Sequence, residues 1–415
     1  MHLSQWLVLR RHPEFFKLWS GQAISSFGSA ITTVALPLAA VVVLHASPVQ
    51  MGVLLALTTL PHLLFGLVAG VGVDRLPRKS ILVGTDLGRC LLLATIPILG
   101  VLGELRIEHL YAVAFLTGTM TLLFETASMS LLPALVGRDN LIHANGAMIL
   151  NTSVASTAGP ALAGGLVQVL TAPVAIAFDA ASFLLSAVCS LLIEVQPAAR
   201  SATGRGRVSL WAEIVEGLRV VFADRVLSPI AVSAAIGAMA GAIQGALVVL
   251  YLARDLHLSP AFVGLAVAAS GVGSVVGALL APPYSVRLGP GPAYITGQML
   301  ASLAGLFLAA ARGPLTVVML FVVVGRLVAG LGPPLYAVPQ RTLRQALVPD
   351  QLLGRANATW RFMVFGAQPL GSLLGGVLGA TVGLRAALVL GSVGILFAVA
   401  WATRSPLRSL RQIPA

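Results

Sequence analysis

The chain has 415 residues, 57% of them hydrophobic and only 10% charged, with a formal net charge of +12. Soluble domains carry roughly 25% charged residues because their surface must be wet, so the composition excludes a disordered chain and argues against a soluble globular one. The positive excess alone admits either nucleic acid or a membrane as partner, and where the charges fall along the chain decides between them.

A helix needs about 20 apolar residues to cross roughly 30 Å of hydrocarbon. Twelve such runs follow one another. They are 18–43, 50–73, 80–102, 109–135, 143–170 and 172–193, then 227–252, 258–283, 291–311, 314–337, 355–381 and 384–403. No alternating segments of the kind a β-barrel requires compete with them. The expected fold class is an all-α membrane protein of twelve transmembrane helices in two pseudo-symmetric six-helix bundles. The 43 Gly and 24 Pro would be hostile to long soluble helices but are tolerated in membrane ones.

Placing Lys and Arg on alternate sides leaves only Arg106, Arg254, Arg312 and Arg385 on outer loops, with Arg89, Arg326 and Arg361 inside spans and the rest inside the cell. By the positive-inside rule both termini are expected to be cytoplasmic, in a multi-pass protein of a prokaryotic inner (plasma) membrane. The basic residues are scattered over short inner loops and not interleaved with aromatics on one face, so no nucleic-acid partner is expected. Trp6, Trp19, Trp360 and Trp401 sit at inner span ends, as an interfacial belt predicts.

The longest polar stretch divides the chain into an N-terminal bundle 1–193, a cytoplasmic linker 194–226 and a C-terminal bundle 227–415. Within the linker, Leu210, Trp211, Ile214, Val215, Leu218, Val221 and Phe222 recur at helical spacing. This amphipathic helix can lie on the inner membrane surface or pack on the bundle's cytoplasmic end. The halves look duplicated. A shift of 212 carries Arg75-Leu76 onto Arg287-Leu288, Leu135-Val136 onto Leu347-Val348 and Ala144-Asn145 onto Ala356-Asn357. Parallel six-span repeats are an architecture of secondary transporters.

The loop after the second span reads Gly70-Val-Gly-Val-Asp74-Arg75-Leu76-Pro77-Arg78-Lys79. It resembles the signature Gly-x-x-x-Asp-Arg-x-Gly-Arg-Lys of the major facilitator superfamily, with Pro77 in place of a Gly. The resemblance implies that Asp74 latches the two halves on the cytoplasmic side. A plain topology-setting cluster would explain Arg75, Arg78 and Lys79 but not Asp74, and the second-half copy has Val286 where the acid belongs. Gly159-Pro160-Ala161-Leu162-Ala163-Gly164-Gly165 resembles the Gly-Pro element of exporters in this superfamily. Small-residue helix packing is the competing explanation. Leu132-Pro133-Ala134-Leu135-Val136, Ala144-Asn145, Glu216-Gly217-Leu218-Arg219 and the span-three pair Asp86 and Arg89 look like elements of a branch containing macrolide-efflux and siderophore-export proteins. What the family implies is a proton-coupled efflux permease, working by alternating access on a hydrophobic or amphipathic small molecule. An importer of similar fold and a non-transporting membrane protein are the alternatives.

An ionisable group at mid-span costs roughly 2.5 to 3.5 kcal/mol on insertion scales, so each is a functional candidate. Glu125 lies mid-span in helix four and Arg326 mid-span in helix ten, and in the superfamily fold these helices line the central cavity from opposite halves. Glu125 is expected to titrate during transport, with a static ion pair as the alternative. Asp179 in span six reads as a satisfied structural acid ahead of a proton site. Asp86 and Arg89 are three apart, close enough for a local pair that buttresses the signature loop. Cys90 and Cys189 lie in separate spans without clustered histidines, and no Walker loop is present. No metal, cofactor or enzymatic chemistry is expected. The partners implied are a small-molecule substrate, protons and the lipid bilayer, with the chain a monomer.

Overall fold

The computed structural model of the chain describes residues 12–66, 69, 73, 76–137, 140–194 and 210–412, and leaves aside the side chains of 142, 210–214, 350 and 351. Every regular element among them is helical. In the first half these are α1 (Pro13–Leu38), α2 (Pro48–Phe65), α3 (Arg78–Leu102), α4 (Ile107–Val136), α5 (Leu141–Val169) and α6 (Ala172–Leu191). The linker supplies α7 (Leu210–Ala223). The second half contributes α8 (Leu227–Leu250), α9 (Pro260–Leu288), α10 (Pro290–Ala310), α11 (Leu315–Leu347), α12 (Asp350–Thr381) and α13 (Leu384–Thr403). Apart from α7, each helix overlaps one of the twelve apolar runs; of the run 50–73, residues 67, 68 and 70–72 lie outside the described ones. Eleven are apolar and long enough to cross a membrane by length and composition. The other, α5, spans 29 residues, but Asn145, Asn151, Thr152, Ser153, Ser156 and Thr157 dilute its apolar content.

Prolines inside the helices, such as Pro37, Pro61, Pro97 and Pro160, do not end them, in keeping with the tolerance of membrane helices for a missing backbone donor. Helix α11 runs ten residues past its expected end at 337, because an amphipathic continuation carrying Leu343 and Arg344 adds turns that a search for unbroken apolar runs cannot see.

Contacts divide the chain into two compact units. One comprises Met1–Ala46, Pro61–Gly204 and Ser259–Ala268; the other comprises Ser47–Leu60, Arg205–Leu258 and Ala269–Ala415. In the first, α1 packs on α5 and α6, and α3 packs on α4 and α6. In the second, α8 packs on α12 and α13, and α10 packs on α11 and α13. These are the same pairings repeated, so the duplication read from sequence is also a duplication of packing.

It reaches the backbone. Helix α1 closes in a π-helical turn, Ala39–Val43, and α8 closes in another, Tyr251–Asp255. Leu44-His45-Ala46-Ser47-Pro48 then follows the first and Leu256-His257-Leu258-Ser259-Pro260 the second, at the same shift of 212. Both histidines take φ 51. The Ala46 N–H bonds the Ala40 carbonyl at 2.8 Å, as the Leu258 N–H bonds the Leu252 carbonyl at 3.0 Å. Two of the unit boundaries, after Ala46 and after Leu258, fall inside this motif.

Helix α7 packs against α12. A methyl group at Gly217 would overlap Thr359 Oγ1 and lie 2.8 Å from the Arg355 carbonyl oxygen. Glu216 pairs with Arg355, and Val221 joins Trp360, Leu343 and Val348 in one buried cluster. Of the two placements open for this helix, the structure takes the one on the bundle end.

Candidate functional site

In the first unit, α3 and α6 bury a polar network. Asp86 is fully buried and Arg89 nearly so. Arg89 Nη2 donates to Asp86 Oδ1 at 2.5 Å, and Ser186 Oγ donates to Asp86 Oδ2 at 2.8 Å. The guanidinium is sandwiched between aromatic rings, with its carbon 4.1 Å from the Phe183 centroid and 4.6 Å from that of Phe124. A cation whose charge is matched by a carboxylate and whose faces meet rings is compensated for leaving water. The expected local pair is therefore present, fully enclosed. Neither Ser186 nor the two phenylalanines is expected from the sequence; the polar stripe Asp179, Ser182, Ser186 and Ser190 on α6 marks a buried face there but carries no sign of the rings.

Two turns away along α6, Asp179 is 1% exposed. Ser182 Oγ donates to its Oδ1 at 3.2 Å, and Thr32 faces it from α1. Gly28 of α1 lies so close that a methyl group there would be 2.5 Å from Asp179 Oδ1. Asp179 is thus sealed at a helix contact.

Glu125 is different. It is exposed on α4, and among the described residues no cation pairs with it within 4.0 Å. One turn on, Ser128 accepts a hydrogen bond from Gln22 of α1 at 2.9 Å, which fixes this stretch of α4 against α1.

Arg326 belongs to the second unit. Its Nη2 donates to Ser270 Oγ of α9 at 3.0 Å, while its Nε is buried without a hydrogen-bond partner. Among the described residues no carboxylate lies within 4.0 Å of it. Arg361 stands exposed on α12 with its guanidinium 5.8 Å from the Phe365 ring centroid.

Of the signature loop, Arg78 and Lys79 open α3, whereas Gly70, Asp74 and Arg75 lie outside the described residues. The Gly-Pro element of α5 has a definite geometry. A methyl group on Gly159 would overlap Ala30 Cβ of α1, and one on Gly164 would lie 2.6 Å from the Pro260 carbonyl oxygen and 2.8 Å from Gly264 Cα of α9. Gly165 has nothing within 4 Å. The second unit repeats the contact between α12 and α2, where a methyl group on Gly376 would lie 2.8 Å from the Pro48 carbonyl oxygen and 3.1 Å from Gly52 Cα. Gly164 and Gly264 become Gly376 and Gly52 when the halves are exchanged at a shift of 212.

The chain matches the transmembrane secretion effector family over residues 4–414. It is 28% identical over 393 residues to an enterobactin exporter of Citrobacter koseri, covering 92% of this chain and 89% of the relative. With the enterobactin exporter of Salmonella typhimurium the identity is 27% over the same length, covering 90% of that protein. A solved structure of the nucleoside transporter NupG superposes with a TM-score of 0.76 at 12% identity, covering 96% of this chain and all of that one. A bacterial homologue of the iron transporter ferroportin, captured in an inward-facing state, gives 0.71 at 17% identity, covering 94% and 98%. With twelve long helices among the described residues, a duplicated six-helix packing scheme and a family match along nearly its whole length, the chain is a membrane transporter of the major facilitator superfamily and belongs to its transmembrane secretion effector family.

Proposed function

We propose that this transporter is a proton-coupled exporter of the prokaryotic plasma membrane, carrying a hydrophobic or amphipathic, siderophore-like small molecule outward by alternating access. Its two bundles, 1–193 and 227–415, would move about the linker 194–226, with both termini in the cytoplasm. The chain works as a monomer with no nucleic-acid partner. The similarity to enterobactin exporters along 92% of the chain supports the direction and the substrate class.

Glu125 carries the mechanistic reading. Of the acids inside the spans, Asp86 is neutralised by Arg89 and Asp179 is enclosed at a helix contact, while Glu125 is exposed at mid-helix. In the superfamily fold the fourth helix lines the central cavity, and an acid exposed there would gain and lose a proton in each cycle. Asp179 is the reserve proton site. Asp74, with Arg75, Arg78 and Lys79 after Gly70, serves as the cytoplasmic latch, and Gly159, Pro160 and Gly164 as the exporter element.

The test is proton-driven uptake into inverted vesicles from a sensitised host, with Asp74→Asn as the inactive control. Glu125→Gln is expected to insert normally and lose transport driven by a pH gradient. Unchanged, still proton-dependent transport in that variant would sink the reading, and flux in the opposite direction would make the chain an importer.

A further inference from the structure

A guanidinium left without a counter-charge inside a membrane protein is among the costliest groups a sequence can keep. The described arginines of the helices answer that cost in different ways. Arg89 has Asp86 and two rings. Arg385 donates to Tyr251 Oη at 3.2 Å and to the Ala311 carbonyl at 3.3 Å, at the very start of α13. Arg344 also has buried Nε and Nη1 donors without a partner, but it lies in the last turn of α11 over the Trp360 ring, where the helix dipole favours a cation. Arg326 sits twelve residues into the 33-residue α11 and has one neutral hydroxyl, Ser270.

The scaffold around it is rigid. Helices α9 and α11 touch backbone to backbone: methyl groups on Gly273 and Gly330 would overlap the carbonyl oxygens of Leu327 and Ser270, and one on Gly277 would lie 2.5 Å from that of Leu331. Ser270 is thus fixed against Gly330, one helical turn beyond Arg326, and holds one edge of the guanidinium. The buried Nε–H remains unbonded, and the side chain is partly exposed.

We propose that Arg326, oriented by Ser270, is an anion-binding subsite that takes the carboxylate, sulfonate or similar two-oxygen acidic group of an organic substrate. This rests on the reading that the chain transports an organic solute and narrows that solute to an anionic one. The planar fork of Arg presents parallel N–H groups that match two oxygens, which a Lys point charge cannot do.

The matched probes are 2-naphthoate and 2-naphthamide, equal in ring and shape but different in charge. Equilibrium binding is measured on the full chain in nanodiscs of zwitterionic phosphatidylcholine, so that no anionic lipid competes. Naphthoate is expected to bind roughly tenfold to a hundredfold more tightly than naphthamide. Arg326→Gln should erase that preference while naphthamide is still bound, which also reports that the variant is folded. Arg326→Lys is the second variant and should keep only part of the preference. Equal binding of the two probes by the native chain, or a preference undiminished in both variants, overturns the proposal. So does a preference that emerges only in Glu125→Gln, because it would mean that Glu125 already occupies Arg326. Failure of proton-driven export with the naphthoate preference intact would remove the export reading and not this site.

Discussion

Adjacent glycines in α5 should respond to the same substitution with opposite signs. At Gly164 a methyl group would lie 2.6 Å from the Pro260 carbonyl oxygen and 2.8 Å from Gly264 Cα, against 3.4 Å for an ordinary contact. Both obstacles are backbone, so neither can rotate aside, and the two helices must part by about 0.8 Å, a gap that forfeits roughly a quarter to a half of each dispersion contact along the seam. Overpacking of this kind costs about 1 to 3 kcal/mol, offset by the roughly 0.5 to 1 kcal/mol that Ala gains over Gly in a helix. Gly164→Ala should therefore destabilise, by about 1 kcal/mol at the middle of both ranges and at most about 2.5 kcal/mol. At Gly165 nothing lies within 4 Å, so Gly165→Ala keeps only the helix gain and should stabilise by about 0.5 to 1 kcal/mol. The assay is equilibrium unfolding of the purified chain in detergent, with both variants and the native chain run together. Equal shifts, or a destabilised Gly165→Ala, would refute the close contact between α5 and α9.

Other substitutions probe separate parts of the frame. Thr171 precedes α6 with φ 132 and ψ 160, a region essentially reserved for glycine, and its repeat partner is Gly383 with φ 87; Thr171→Gly should stabilise by about 1 kcal/mol in the same unfolding assay, since the relieved strain exceeds the entropy lost. His45→Ile and His257→Ile should each cost about 1 to 2 kcal/mol, because a branched side chain opposes φ 51, while the Gly variants should lie closer to the native melting temperature. Asp86→Leu strands Arg89 in the bundle and should cost about 3 to 5 kcal/mol, with most of the loss recovered when Arg89→Leu is added, a pattern visible as a coupled double-mutant cycle. The half-exposed Glu216–Arg355 pair should show a coupling of about 1 kcal/mol or less in such a cycle, shrinking with added salt.

The helices were legible because each is a long apolar run, and lipid leaves a spanning chain no other way to satisfy its backbone. The Asp86–Arg89 pair was legible from its i, i+3 spacing. Its enclosure by Ser186, Phe124 and Phe183 was not, since those contacts join residues 38 to 100 positions away from Asp86 through helix packing. The Gly-Pro element was readable as either an exporter signature or a packing device, and the close contacts of Gly159 and Gly164 are those of a packing device. The partner of Arg326 escaped for another reason: a serine on a helix lined with glycine and valine carries no pattern of its own. The Leu-His-x-Ser-Pro repeat was plainly present in the sequence, but its importance appears only with the π turns and positive φ angles that surround it.

The repeat also separates what the frame does from what the charges do. At the shift of 212 that superposes the packing, the π turns and the glycine contacts, Asp86 falls on Gln298, Arg89 on Ala301 and Asp179 on Gly391. Glu125 falls on Ala337, and Arg326 on Ala114. Gln298 is nearly as buried as the acid it replaces; its Nε2 donates to Tyr294 Oη at 2.7 Å while its Oε1 is left without a partner, so the second half places a neutral group where the first has a charge. Duplicated backbone devices serve both units alike and cannot distinguish a proton from a solute. The ionisable groups inside the spans are not duplicated: Asp86, Arg89, Glu125 and Asp179 belong to the first half, Arg326 and Arg361 to the second. On the reading proposed above, the proton would be carried by an acid of the first half and the anionic group of the substrate by Arg326 of the second.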